Sequence, residues 1–186
     1  MNSLRTSASS PLLIAEVPVG PHPGYLGLTI CPGKKDSSGL WDRDLPTDIA
    51  AVQNWGATAV LTLIEAHEFS LLRVSALGEM VQSAGMSWYH LPIVDVSIPD
   101  QRFEQSWLSV RNALHEQLDS GERILVHCRG GLGRTGLVAG MILVERGLSA
   151  DDAMHLVRKA RPNAIETRRQ EEYVRDTQVI APYART

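Results

Sequence analysis

Apolar positions in this chain fall into short blocks separated by glycine, proline and polar residues. Five of them, at 12–17, 25–30, 59–64, 87–91 and 124–127, are too short for helices and bounded by turn formers, so they predict strands. Between them, helical spacing predicts helices over 46–55, 77–84, 103–120, 134–146, 150–160 and 168–179. Strands alternating with helices imply an α/β layer fold, with a partly parallel sheet covered on both faces. The 134–146 segment is apolar nearly all round, with Leu137, Val138, Met141, Ile142 and Val144, and is expected at the centre. Gly147 should stop it, and Ser149 with Asp152 should form a capping box for the next helix. Trp107, Leu108, Val110, Ala113, Leu114 and Leu118 read as the core stripe of the 103–120 helix. The serine-rich residues 1–11 are expected to be a flexible lead-in, leaving 12–186 as one domain.

Composition narrows the class. At 186 residues, with 44% hydrophobic and 21% charged residues, the chain can bury a real core as a single unit. A net charge of −3 argues against a nucleic-acid binder, whose footprint is basic. No apolar run approaches a membrane span, and Glu16 interrupts the short run Leu12-Leu13-Ile14-Ala15, so neither membrane insertion nor a signal peptide is expected. Cys31 and Cys128 are too few for a disulfide framework, which fits a cytoplasmic protein.

The chemistry is concentrated in His127-Cys128-Arg129-Gly130-Gly131-Leu132-Gly133-Arg134-Thr135-Gly136. A buried strand leads into this peptide and a helix leads out. That arrangement points loop N–H groups and the free N–H groups of the first helical turn at one spot, where the helix dipole also favours negative charge. A thiol at the head of the loop sees the same field and is expected to ionise. Arg134 can fold back and clamp two oxygens of a bound oxyanion with its planar fork. Thr135 can donate its hydroxyl to the sulfur. Nucleophile, N–H ring and bidentate cation around one tetrahedral centre describe phosphoryl transfer through a phosphocysteine.

These residues resemble the HCxxGxxR[ST]G signature of the cysteine-dependent protein phosphatases, in particular the dual-specificity group. Six specified positions match by chance in about one chain in 10^5 of this length. Tyr25-Leu26-Gly27-Leu28, Pro32-Gly33, His90-Leu91-Pro92-Ile93-Val94-Asp95 and Ala164-Ile165-Glu166-Thr167 are similar to the kinase-associated phosphatase branch, so the likeness spans residues 24–180. The resemblance implies a mostly parallel five-stranded sheet with helices on both faces, and phosphate held by 129–134. It also implies no cofactor or metal, and a phosphorylated protein as substrate. It assigns the general acid to a loop aspartate about 30 residues before the cysteine. Asp95 fits the position and Asp100 is the competitor, although Asp100 also suits the N-cap of the 103–120 helix. Where the branch places a water-orienting glutamine, this chain has Glu166. Gln170 could substitute, or could close a capping box with Thr167.

Other residues carry weaker readings. His127 is expected to hold the loop backbone, and Arg129 to sit at the rim, where it could grip a second acidic group. Lys34, Lys35 and Arg43 read as loop surface charges, and Cys31 as a half-buried structural thiol. His22, His67, His90, His115 and His155 show no ligand spacing. A phosphoinositide phosphatase and a weakly catalytic phosphoprotein-binding module remain as alternatives. A sulfur-transfer or redox protein would have no use for Arg134 and Thr135.

Overall fold

The computed structural model describes residues 4–21, 23–36 and 40–183. Its centre is a five-stranded sheet of β1 (Ala15–Pro18), β2 (Tyr25–Thr29), β3 (Ala57–Thr62), β4 (Ser87–His90) and β5 (Arg123–His127), in the order β1-β2-β5-β3-β4. Only β1 runs antiparallel, against β2; the pairs β2–β5, β3–β5 and β3–β4 are parallel. The sheet is therefore mostly parallel, as the resemblance implied.

Strand periodicity divides the core. Ile124 and Val126 of β5 point into one layer while Leu125 points into the other, and all three are fully buried. The first layer is filled by α4 (Gln101–Asp119), α5 (Gly133–Glu145), α6 (Ala150–Ala160) and α7 (Arg168–Asp176). The second holds α1 (Leu45–Trp55) and α3 (Leu77–Ser83). Every residue of α5 is buried, in keeping with its apolar circumference. Among the described residues no helix is long and apolar enough to cross a membrane.

Helix ends follow local chemistry. Asp44 caps α1 by accepting the Thr47 N–H at 3.0 Å, and Gly56 ends it with φ +90°. Asp100 caps α4 by accepting the Phe103 N–H at 3.0 Å. The Thr167–Gln170 capping box of α7 is complete. The box expected from Ser149 and Asp152 is only half made. Ser149 Oγ accepts the Asp152 N–H, but the short Asp152 carboxylate takes the Ser149 hydroxyl rather than reaching its N–H. The N-cap position of α5, Leu132, supplies no side-chain cap at all.

Four expectations need correction. A short helix, α2 (Ala66–Leu71), follows β3 where none was predicted. On α4, Leu108 is exposed and His115 is buried, so the buried face runs through Phe103, Trp107, Leu114 and Leu118. The lead-in is docked from residue 4 onward. Buried Ser7 donates to Asp48 Oδ1 at 2.8 Å and accepts the Asp44 N–H at 2.9 Å. Arg43, read as a surface charge, is 1% exposed, meets Asp48 through two bonds of 2.7 and 2.8 Å, and donates to Ser10 O. An interior arginine needs this pairing, and Asp48 on α1 supplies it. Residues 1–3 of the lead-in and His22 lie outside the described residues.

Candidate active site

The loop 128–132 leaves β5 at the carboxyl ends of the parallel strands, where α/β sheets characteristically bind ligands. Its carbonyl groups are tethered from outside. His127 O accepts from Leu63 N, and Arg129 O from Cys31 N and Lys34 Nζ. Arg161 donates to Gly130 O and Gly131 O, while Gly136 N and Ile165 N both reach Leu132 O. With the carbonyls drawn outward, the amides are left on the other side. Gly131 N–H points at Cys128 Sγ, 3.3 Å away. Among the described residues, the N–H groups of Arg129, Gly130, Leu132, Gly133 and Arg134 have no partner. Gly131 must be glycine: its φ is +68°, and a Cβ would sit 2.3 Å from Thr29 O.

Cys128 is buried at the head of this ring. Before it, His127 Nδ1 lies 3.3 Å from Cys128 O and Nε2 lies 2.8 Å from Thr62 Oγ1, which in turn accepts the Trp88 indole N–H at 2.9 Å. Trp88 donates to Thr62 Oγ1, and Nδ1–H donates to the Cys128 carbonyl, which can only accept. Burial, the main cause, lowers the imidazole pKa to about 4, so the ring is neutral and its Nε2 accepts the Thr62 hydroxyl.

Arg134 opens α5 and is 1% exposed. Nη1 donates to Glu68 Oε2 at 2.6 Å and to Ile93 O at 3.1 Å; Nη2 donates to Glu68 Oε1 at 3.0 Å and meets Asp95 Oδ1 at 2.9 Å. Nε alone has no partner. Glu68 was not foreseen as a site residue. It sits on the unpredicted α2, 66 positions from Arg134, and accepts the Glu65 N–H as well. Burial by itself raises the Glu68 carboxyl, but the Arg134 and Glu65 hydrogen bonds outweigh it and hold the group below the usual carboxylate range. Burial likewise disfavours the Arg134 charge, but Glu68, together with Cys128 and Asp95, more than reverses this and places Arg134 above its ordinary value.

The two candidate acids separate cleanly. Asp95 is half exposed against Arg134, with its N–H on Glu65 Oε2. Asp100 is turned away into its cap and an exposed pair with Arg102. Val96, next to Asp95, takes φ +59°, which is costly for a β-branched residue, and its N–H bonds Asp95 Oδ1.

Other expected site residues are placed as follows. Thr135 Oγ1 is buried without a partner, so the expected donation to the sulfur is not made; Gly131 N–H takes that role. Arg129 is exposed at the rim. The Glu166 carboxylate lies against Gly133, where a Cβ would come within 2.4 Å of it. Gln170 is fully buried, accepts the N–H groups of Glu166 and Thr167, and donates to Ser97 O, so its oxygen serves the cap while its Nε2 lies beside Gly133. Cys31 is fully rather than half buried, and burial pushes its thiol far above the ordinary range. Lys34 is buried against the loop, whereas Lys35 stays at the surface on Asp42.

A cysteine heading a ring of free amides, with a buried arginine in the first helical turn, is the geometry the signature implied. The family model "Swiss Army Knife protein, DSP-PTPase phosphatase domain" matches residues 42–174. The chain belongs to the dual-specificity branch of the protein-tyrosine phosphatases. Cyclin-dependent kinase inhibitor 3 of Mus musculus is 30% identical over 154 residues, 82% of this chain and 71% of that protein. Protein tyrosine phosphatase type IVA 3 of Mus musculus is 28% identical over 124 residues, 67% of this chain and 66% of the other. The crystal structure of kinase associated phosphatase with its catalytic-site cysteine replaced by serine superposes with a TM-score of 0.79 at 28% identity, covering 89% of this chain and 93% of that one. The fold and the phosphatase class thus agree with the sequence reading.

Proposed function

We propose that this phosphatase hydrolyses phosphate monoesters on proteins through a phosphocysteine at Cys128, with phosphotyrosine as first substrate class and phosphoserine and phosphothreonine as the second. In the first step Cys128 Sγ attacks phosphorus, the P–O ester bond breaks, and the Asp95 carboxyl gives its proton to the departing oxygen. In the second, water attacks phosphorus, Asp95 takes its proton, and the P–S bond breaks to release phosphate and the thiolate. Five free amides and the start of α5 stabilise charge on the equatorial oxygens. The four Nη bonds of Arg134 fall into two sets: those to Glu68 and Ile93 O fix the fork, while Nε and the Nη2 edge that now meets Asp95 remain for two phosphate oxygens. Phosphate arriving at Nη2 displaces Asp95 toward the ester oxygen. Thr135 Oγ1 makes no hydrogen bond in the resting site, and both the Glu166 carboxylate and the Gln170 amide lie beside Gly133, where the water would be oriented. The chemistry needs no metal, since amides and guanidinium supply the positive field.

The observation that carries this reading is the loop with its carbonyls tied outward and its amides free around Cys128. Hydrolysis of para-nitrophenyl phosphate in the presence of a chelator tests it. Cys128→Ser and Arg134→Ala lose nearly all turnover, Asp95→Ala slows by roughly 10^2–10^4, and Asp100→Ala stays near wild type. Turnover by Cys128→Ser overturns the covalent route, and a slow Asp100→Ala with a normal Asp95→Ala overturns the acid assignment.

A further inference from the structure

A cleft of about 390 Å³ lies against the loop that carries Asp95, between the start of α2 and the start of α4. Pro92 and Val94 of that loop line one side, Glu65 and His67 another, and Ser106 a third, over buried Phe103. The cleft adjoins the reactive site. Asp95, next to Val94, meets Arg134 Nη2 at 2.9 Å, and its N–H donates to Glu65 Oε2 at 3.3 Å. A peptide whose phosphoryl group sits between Cys128 and Asp95 therefore runs past this cleft within a few residues, at about 3.5 Å per residue. The charges around the cleft are already engaged. Asp100 accepts the Phe103 N–H and two bonds of 2.9 and 3.1 Å from Arg102. Glu65 accepts the Asp95 N–H and closes the α2 capping box with Glu68. What faces water is largely hydrocarbon: Val94 is 49% exposed, and Pro92 is exposed two positions before it. Such surface, next to a site where a peptide must lie, gains from an apolar partner that covers it.

We propose that this cleft, between Val94, Phe103 and Ser106, is a substrate subsite that takes an apolar side chain of leucine or isoleucine size from a residue flanking the phosphorylated one. The inference rests on the phosphomonoesterase reading above and deepens it by giving the enzyme a sequence preference. Burying such a side chain against Pro92, Val94 and Phe103 favours the peptide by about tenfold or more. A charged side chain gains no such advantage, because Glu65, Asp100 and Arg102 would have to give up existing bonds to meet it.

The test uses the full-length protein and alanine-rich phosphotyrosine peptides, each with one leucine placed within about three residues of the phosphotyrosine on either side. At one or two positions the leucine peptide is turned over with kcat/KM about tenfold above its all-alanine partner. Lysine or glutamate at the same position gives no such gain, and about 1 M salt leaves the leucine preference standing. Ser106→Phe, at an exposed position of α4 outside the reactive site, fills the cleft and brings the ratio below about twofold, while para-nitrophenyl phosphate turnover and the melting temperature stay near wild type. Ser106→Ala, which leaves the space open, keeps the preference. Ratios near one at every position, or a ratio untouched by Ser106→Phe, overturn the subsite, while Cys128-dependent hydrolysis of para-nitrophenyl phosphate leaves the enzyme reading intact. A preference for lysine or glutamate that Ser106→Phe abolishes overturns the apolar assignment. No hydrolysis of any monoester overturns the underlying reading and the subsite with it.

Discussion

Arg134 and Glu68 are both almost wholly buried, and each satisfies the other: two of the guanidinium bonds end on Glu68. Removing one charge from such a pair strands the other in a poor solvent, a loss of typically 3–5 kcal/mol. Glu68→Gln is therefore expected to lower unfolding stability by about 3 kcal/mol, because Ile93 O and Asp95 still hold part of the fork, and to cut turnover as Arg134 loses its anchor. Urea denaturation with parallel kinetics checks this; a fully stable, fully active variant contradicts it. His127 gives a pH prediction. Its folded pKa, about 4, lies below the ordinary value of 6.5, so between these values the unfolded chain binds the extra proton. The stability it contributes is complete above about pH 6.5 and is lost as pH falls toward 4. Nitrogen chemical shifts of the imidazole should show a neutral ring protonated on Nδ1 at pH 5.5; a ring already titrating at 6.5 contradicts the hydrogen-bond chain.

At the scale of elements, the loop that carries Asp95 and the short helix α2 before it hold the Arg134 fork. Val96 holds φ +59° with its side chain mostly exposed, so little packing opposes replacement. Val96→Asn, better suited to that conformation, is expected to raise stability by about 0.5–1 kcal/mol, read by thermal melting; a clear destabilisation contradicts the strain. Asp100→Ala should cost about 1 kcal/mol by loss of the α4 cap while leaving turnover near wild type. Much at this scale was legible from sequence. The five strands and six of the seven helices announced themselves through apolar period and caps, and Asp100 and Thr167–Gln170 behaved as their cap chemistry dictates. α2 did not, because Ala66–Leu71 spans under two turns and offers no repeat for periodicity to detect. Glu68 was hidden with it. No local pattern connects a carboxylate on one side of the sheet to an arginine 66 positions later, and separations of 31 and 95 positions likewise concealed the contacts of Arg161 with Gly130 and of Lys34 with Arg129.

For the whole molecule, the parallel order β2-β5-β3 puts the reactive loop at the centre of the carboxyl edge, with α5 entirely buried behind it. That much follows from the alternating pattern and the family resemblance. The lead-in was misjudged because serine-rich composition signals weak burial, whereas here polar bonds do the docking. Ser7 and Ser10 O join the Arg43–Asp48 pair at the start of α1. Ser7→Ala is expected to lower stability by about 1–2 kcal/mol, since Asp48 and the Asp44 amide each lose a buried partner; an unchanged melting curve contradicts the docking. On the proposed mechanism, all of this serves one sulfur, that of Cys128. The most direct test is to mix the enzyme with a phosphotyrosine peptide, quench in acid within a turnover, and map the phosphoryl group by mass spectrometry, using Asp95→Asn to slow the second step. A phosphoryl group on the Cys128 peptide, absent in Cys128→Ser, is predicted; turnover with no modified cysteine, or a phosphoryl group on another residue, contradicts the account.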